Sequence, residues 1–385
     1  MTAELGTPRD RHLFGPGRKR LLALDGGGVR GVISIAFLER IEAVLAERAG
    51  GPARLGDWFD LVGGTSTGAV IAGAIALGLT VADLKHFYLR LAPNVFRRPF
   101  WRVMGLQAKF DARALRREIE QVVGERTLDS EDLVTGLCIV TKRMDTGSPW
   151  IVANNSRAPY WETPADRAFT GNRHYRLANL VRASTAAPAY FDPELLPIVD
   201  GALHGLFIDG GVTPHQNPAL ALFLMTTFKA YGLCWPTGPD RLLIVSIGTG
   251  LYRTQLSAAE ARRIRAIGLA IRALSALIGD GVGLVLALMQ WLGECPAPWP
   301  VNSEVGDLSG DAPPGGKLFR FLRYDVRLDA PWLAEVLDLK LSARDVARVR
   351  RLDDHGSLPL AYEIGRRAAE LQVKAEHLLP GAQTA

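Results

Sequence analysis

Two glycine-framed stretches hold the residues whose types and spacing suit chemistry. Gly64-Thr65-Ser66-Thr67-Gly68 is a G-x-S-x-G sequence. Between a strand and a helix, this pattern makes a sharp turn that pushes the serine hydroxyl out at the strand end. Small neighbours leave room for a carbonyl to approach, and the following helix aims its positive dipole end at the same spot. Ser66 is therefore a nucleophile candidate for acyl transfer. Upstream, Asp25-Gly26-Gly27-Gly28-Val29-Arg30-Gly31 places Gly26, Gly28 and Gly31 in G-x-G-x-x-G spacing. That spacing suits a dinucleotide pyrophosphate, or a backbone that presents N–H groups to a developing oxyanion. The dinucleotide reading needs an acidic residue at the end of the next strand, about 20 residues on. Here that region, Leu45–Gly51, reads as a helix end and a loop, and the next strand ends in Gly63-Gly64. A nucleotide-dependent oxidoreductase would lack its ribose anchor.

A serine hydroxyl needs a base. The chain has seven histidines, and only His215 lies beside another suggestive element. The run Thr213-Pro214-His215-Gln216-Asn217-Pro218 reads as the entry to a helix capped by Thr213 or Asn217. It does not resemble the distant loop that carries an α/β-hydrolase histidine. The other candidate is Asp209 in Ile208-Asp209-Gly210-Gly211, a carboxylate at a strand end followed by two glycines. An Asp-Gly-Gly alone is also an ordinary turn. Strand ends on one edge of a parallel sheet converge, which would bring Asp209 to Ser66.

The elements that must position these groups alternate between apolar strands and amphipathic helices. Strands are expected at Arg20–Leu24, Phe59–Val62, Leu133–Thr141, Trp150–Ala153, Leu206–Ile208 and Leu242–Ile247, with a further one at Phe319–Val326. Helices are expected at Val32–Glu47, Thr67–Ala76 (stopped by Gly78), Tyr175–Ser184 and Pro218–Tyr231. This alternation implies an α/β fold with a mainly parallel sheet covered on both faces.

Between about 80 and 130, basic and aromatic residues mix: Phe96, Arg97, Arg98, Phe100, Trp101, Arg102, Arg113, Arg116 and Arg117. That stretch reads as a helical insertion or lid, with Phe96, Phe100 and Trp101 suited to a lipid interface or to core packing. Ile267–Leu292 is the most apolar segment; Gly279-Asp280-Gly281 suggests two short helices, buried or facing lipid.

With 385 residues, 48% hydrophobic and 22% charged, the composition is that of an ordinary globular protein. The net charge of +5 suits an anionic membrane surface as well as a solvated arginine face. Cys138, Cys234 and Cys295 are far apart, which argues against a disulfide framework or a structural zinc site. Residues 1–20 show no apolar run like that of a signal peptide, so the expected location is cytoplasmic.

Taken together and in this order, the stretch Asp25–Gly31, the Ser66 elbow and Asp209-Gly210-Gly211 resemble the patatin-like phospholipase family. Arg182-Ala183-Ser184-Thr185-Ala186-Ala187-Pro188-Ala189-Tyr190-Phe191 is similar to that family's segment between nucleophile and aspartate. The resemblance covers about residues 18–250. It implies a three-layer α/β/α fold, with 251–385 a mostly helical C-terminal extension of one domain spanning 1–385. It also implies a Ser–Asp dyad without histidine: Ser66 attacks and Asp209 takes its proton. Gly27 and Gly28, with Gly26 contributing, would form the oxyanion hole. Gly64, Gly68, Gly210 and Gly211 would support the turns, and Arg30 would hold the loop or a phosphate headgroup.

The implied activity is hydrolysis of carboxylic esters in phospholipids or related lipids through an acyl-enzyme, releasing free fatty acids. No cofactor, metal or nucleic acid is called for, and the chain would contact a membrane peripherally, at its inner surface. Alternatives are a phospholipase effector activated by a nucleotide signal against the cell's own membrane, or a broad carboxylesterase. A non-enzymatic lipid-binding protein on this fold is disfavoured by the intact Ser66 and Asp209.

Overall fold

A computed structural model describes residues 6–96, 108–252, 262, 264 and 266–378. Its centre is a nine-stranded sheet in the order β5-β6-β3-β2-β1-β7-β9-β8, with β4 also paired to β3. The strands are β1 Lys19–Leu24, β2 Leu61–Thr65, β3 Gly136–Arg143, β4 Pro149–Ala153, β5 Glu194–Val199, β6 Leu203–Asp209, β7 Leu242–Ile247, β8 Gly293–Glu294 and β9 Phe319–Tyr324. The run from β3 through β2, β1, β7 and β9 to β8 is parallel, whereas β4 and β6 run antiparallel to β3.

The central strands are continuous apolar runs because both their faces are covered. Alternate residues divide between two cores. Leu22, Leu24, Leu243, Val245, Ile247, Leu322 and Tyr324 face one cluster. Leu21, Ala23, Leu242, Ile244, Phe319 and Phe321 face the other. Over the first face lie the helices Gly31–Ala49, Thr67–Ala76 and Leu358–Gln372; over the second lie Ala219–Thr227 and the C-terminal half of Ala266–Leu292. The fold is thus mostly parallel α/β with helices on both faces, as the alternation predicts.

Residues beyond 250 contribute more than a helical extension. They supply β8 and β9, and Leu358–Gln372 seats Gly365 where an added Cβ would stand 2.9 Å from the Ile33 carbonyl oxygen. One expectation is corrected. Ala266–Leu292 is one continuous helix, not two. Neither Gly279 nor Gly281 adopts a positive φ, and a Cβ on Gly281 would come within 3.1 Å of Pro214 Cα, so this glycine serves a close approach and not a break. Strand β5 went unrecognised because Pro197 interrupts it; as an edge strand it tolerates the missing N–H. Phe96 packs against Phe110 and Phe191, at 5.4 and 6.1 Å between ring centroids, and so belongs to the core side of the insertion. Arg97, Arg98, Phe100, Trp101 and Arg102 lie outside the described residues.

Candidate active site

Strand β3 acts as a ruler for the site. Its residues Cys138–Val140 pair with β2 on one edge and with β4 on the other. Thr141 pairs with Trp150 of β4 and with Asp209 of β6, so β6 occupies the edge that β2 has vacated. Strand β2 ends at Thr65, opposite Val140, and β6 arrives from the far side and ends at Asp209, opposite the next residue of β3. The two chain ends therefore abut. This corrects the expected route of convergence: Asp209 closes an antiparallel strand, and not a parallel one.

Ser66 follows directly and turns the chain into the helix Thr67–Ala76. Its φ of 55° and ψ of −122° lie in a region that L-residues rarely occupy, the strain expected of a nucleophile elbow. The flanking glycines make the turn sterically feasible: a Cβ on Gly64 would stand 2.0 Å from the Gly68 carbonyl oxygen, and one on Gly68 2.1 Å from that of Leu24. The Ser66 N–H donates to Ser184 Oγ at 2.9 Å, and Ser184 donates on to the Val140 carbonyl at 2.6 Å. Ser184 belongs to the Arg182–Phe191 segment, so that stretch braces the elbow.

The Ser66 hydroxyl donates to Asp209 Oδ2 at 2.6 Å. Asp209 is buried, and its Oδ1 accepts the Gly211 N–H at 2.7 Å. Burial pushes this carboxyl up to about 6, against hydrogen bonds from Ser66 and Gly211 and the nearby charge of Arg182, which pull it down. Gly210 fits against the Val140 carbonyl, where a Cβ would be 2.5 Å away. His215 takes another role. Its backbone N–H donates to Thr213 Oγ1 at 3.1 Å, and its carbonyl accepts from Thr65 Oγ1 at 2.6 Å. Among the described residues, no hydrogen bond joins its ring to Ser66 or Asp209.

The glycine loop lies across the start of the elbow helix. Gly28 has φ +56°, and its carbonyl accepts from Thr67 Oγ1 at 3.0 Å and from the Tyr88 hydroxyl. Gly26 differs from expectation. Its N–H donates to the Gln216 carbonyl at 3.2 Å, so it is committed and does not serve an oxyanion. The Gly26 carbonyl accepts from Gln216 Nε2 and Thr249 Oγ1, each at 2.7 Å. Among the described residues, the N–H groups of Gly27 and Gly28 have no protein acceptor. The loop is further pinned where Val29 N–H donates to the Leu352 carbonyl at 2.9 Å. Arg30 is buried, and its Nη1 donates to the Gly250 carbonyl at 3.0 Å, which ties the loop to the turn after β7.

Sequence reasoning passed over the network beneath this loop. Arg323 of β9 forms a two-pronged pair with Asp25, Nη1 to Oδ1 at 3.0 Å and Nη2 to Oδ2 at 2.7 Å, and also reaches Asp325 Oδ2 at 2.5 Å. Asp325 Oδ1 in turn accepts the Gly250 N–H at 2.9 Å. Burial disfavours the guanidinium charge, but Asp25 and Asp325 outweigh it and hold Arg323 above its ordinary range. Two signals were available in the sequence: Arg320, Arg323 and Asp325 set within the apolar run Phe319–Val326, and Ser246-Ile247-Gly248-Thr249-Gly250 closing the apolar run Leu242–Ile247.

Gly28→Ala should be severe, because its Cβ would meet the Leu352 carbonyl oxygen at 2.2 Å at a left-handed φ. We expect a loss of stability of about 1–3 kcal/mol, from strain at this φ and displacement of the loop from Leu352. A lower urea midpoint at unchanged slope checks this.

The fold and the site define a class: a mostly parallel α/β/α sheet carrying a strained serine, paired with a carboxylate instead of an imidazole, beside a glycine loop. The chain belongs to the patatin-like phospholipase family, whose model matches residues 22–223. It is 29% identical over 238 residues to a cGAMP-activated phospholipase of Escherichia coli (strain TW11681), a match covering 60% of this chain and 62% of that one. A cGAMP-activated phospholipase of Vibrio cholerae is 30% identical over 242 residues, covering 60% and 64%. Patatin-like protein 1 of Arabidopsis thaliana is 28% identical over 255 residues, covering 60% and 58%. The matches thus span a little under two thirds of these relatives' lengths.

Proposed function

We propose that this chain is a serine lipid acyl hydrolase that cleaves carboxylic ester bonds of phospholipids at a membrane surface. The observation that carries the reading is the 2.6 Å hydrogen bond from the strained Ser66 hydroxyl to the buried Asp209 carboxylate, beside two uncommitted glycine N–H groups. Asp209 Oδ2 takes the Ser66 proton as Oγ attacks the ester carbonyl. The N–H groups of Gly27 and Gly28 stabilise the oxyanion, each contributing about 3 kcal/mol in the transition state. Asp209 then passes the proton to the departing alcohol, leaving an acyl group on Ser66. Water activated by Asp209 releases the fatty acid and restores the serine. Incubation with a mixed lipid extract should release fatty acids and lysolipids detectable by mass spectrometry, and Asp209→Asn should release none. Wild-type release from that variant would require another base. Adding cGAMP to the same assay tests whether the activation named for the two bacterial relatives extends to this chain.

The raised Asp209 carboxyl sets a pH dependence. The base must be ionised, so kcat/KM should be flat above neutral pH and fall tenfold per unit below about 6. Stability runs the other way. A carboxyl raised in the folded state contributes fully below its unfolded value and costs stability as pH rises through about 6. Asp209→Asn should therefore melt above the parent at pH 7.5, by up to about 2 kcal/mol, and lose that advantage near pH 4. Scanning calorimetry at both pH values decides it.

A further inference from the structure

The helix Ala266–Leu292 presents a face that the fold does not cover. At 3.6 residues per turn, Leu269, Leu274, Leu277, Leu284 and Trp291 fall within an arc of about 140°. All five are exposed, Leu277 to 67%. Val282, Leu286 and Met289 point away from the stripe, and with Val285, just beyond its Leu274 edge, they are buried in the core beneath the sheet. The exposed stripe runs from Leu269 to Trp291, a length of about 33 Å at 1.5 Å per residue. Asp280 falls inside the arc, about 20° from its Leu269 edge, and Arg272 lies about 60° outside it. Only 18% of the helix's most apolar window is buried, far less than a core helix shows.

The stripe adjoins the candidate site. Gly281 packs on Pro214, which begins the turn Pro214–Gln216, and Gln216 holds the Gly26 carbonyl. The helix that carries the stripe therefore rests on the same turn that anchors the glycine loop.

We infer that this stripe lies in the interfacial layer of a lipid bilayer and seats the site on its substrate. The inference rests on the hydrolase reading for the identity of that substrate. Three observations favour lipid over a second copy of the chain. The stripe is a convex ridge on one helix, and helices packing at usual crossing angles touch over only a few turns, which would leave most of 33 Å exposed. A lipid surface covers its whole length at once. Trp291 closes one end, and Arg272, about 60° beyond the Leu269 edge of the arc, lies where headgroups would meet it. The net charge of +5 adds attraction to anionic lipid.

The experiment uses vesicles of phosphatidylcholine containing phosphatidylglycerol, and two full-length proteins: Ser66→Ala, and the same chain carrying Leu274→Asp and Leu277→Asp as well. Co-sedimentation should show that Ser66→Ala binds and that the added substitutions weaken binding about a hundredfold. Both leucines are exposed, and equal melting temperatures would verify that the variants fold. With Ser66 intact, Leu274→Asp/Leu277→Asp should lose vesicle lipid hydrolysis while still cleaving a soluble short-chain ester. Unchanged vesicle binding overturns the inference. So does light scattering that finds a dimer split by the substitutions while vesicle binding persists. If the parent chain releases no fatty acid from any vesicle or lipid extract, the hydrolase reading fails, whereas the binding result stands by itself.

Discussion

Ser66→Ala should lower hydrolysis of a soluble ester by at least about four orders of magnitude and abolish labelling by a fluorophosphonate probe. The expected size follows from the geometry. The hydroxyl is the atom that bonds Asp209, and alanine leaves no nucleophile at the elbow. The fold should survive. Ser66 is partly exposed, and its backbone contacts, the N–H to Ser184 and the carbonyl to Ala69, do not involve the side chain. Alanine at φ 55° keeps the same Cβ strain, and losing the hydrogen bond to the buried Asp209 should lower the melting temperature by only a few degrees. Asp209→Asn should match the loss in labelling rate, because the probe reports activation of the serine, and either change removes it. A labelled Ser66→Ala protein would mean that another serine carries the activity. A fast-labelling Asp209→Asn protein would mean that the carboxylate is not the base.

The parts of the molecule written in local chemistry were legible. The elbow reads directly from Gly64 to Gly68, because a Cβ on either glycine would stand only 2.0 or 2.1 Å from a backbone carbonyl oxygen. The central strands read as unbroken apolar runs, because β1 and β7 are buried on both faces. What escaped depends on pairing across distance. Nothing near Asp209 shows that β6 runs antiparallel, since that is decided by the vacancy on β3 beyond Thr65. Nothing near Gly26 shows that its N–H is committed, since the acceptor is Gln216, 190 residues away. Gly279-Asp280-Gly281 signals a break because glycine usually does, whereas the helix Ala266–Leu292 runs straight through it and Gly281 sits close against Pro214. The resemblance to patatin-like phospholipases reached only to about residue 250, and the matched family region ends at 223, so the underside of the glycine loop lay outside both.

That underside supports the second large effect. Arg323→Met should destabilise the fold by about 3–5 kcal/mol, read as a lower urea midpoint at unchanged slope. The guanidinium is fully buried between Asp25 and Asp325, and its loss strands two buried carboxylates. Arg323→Lys should rescue only part of this, because a single ammonium cannot span both Asp25 oxygens and Asp325 together. Combining Arg323→Met with Asp25→Asn and Asp325→Asn should recover stability relative to Arg323→Met alone, since no uncompensated charge then stays buried. Activity should not recover with it. Asp25 immediately precedes the glycine loop, and Asp325 holds Gly250, whose carbonyl holds Arg30. Neutral amides keep the volume but lose the two-pronged geometry that fixes the loop. The triple variant should therefore show a reduced kcat at near-parental KM and slower probe labelling at full occupancy, the mark of misplaced oxyanion donors. A triple variant with parental kcat would show that Arg323 acts on stability alone.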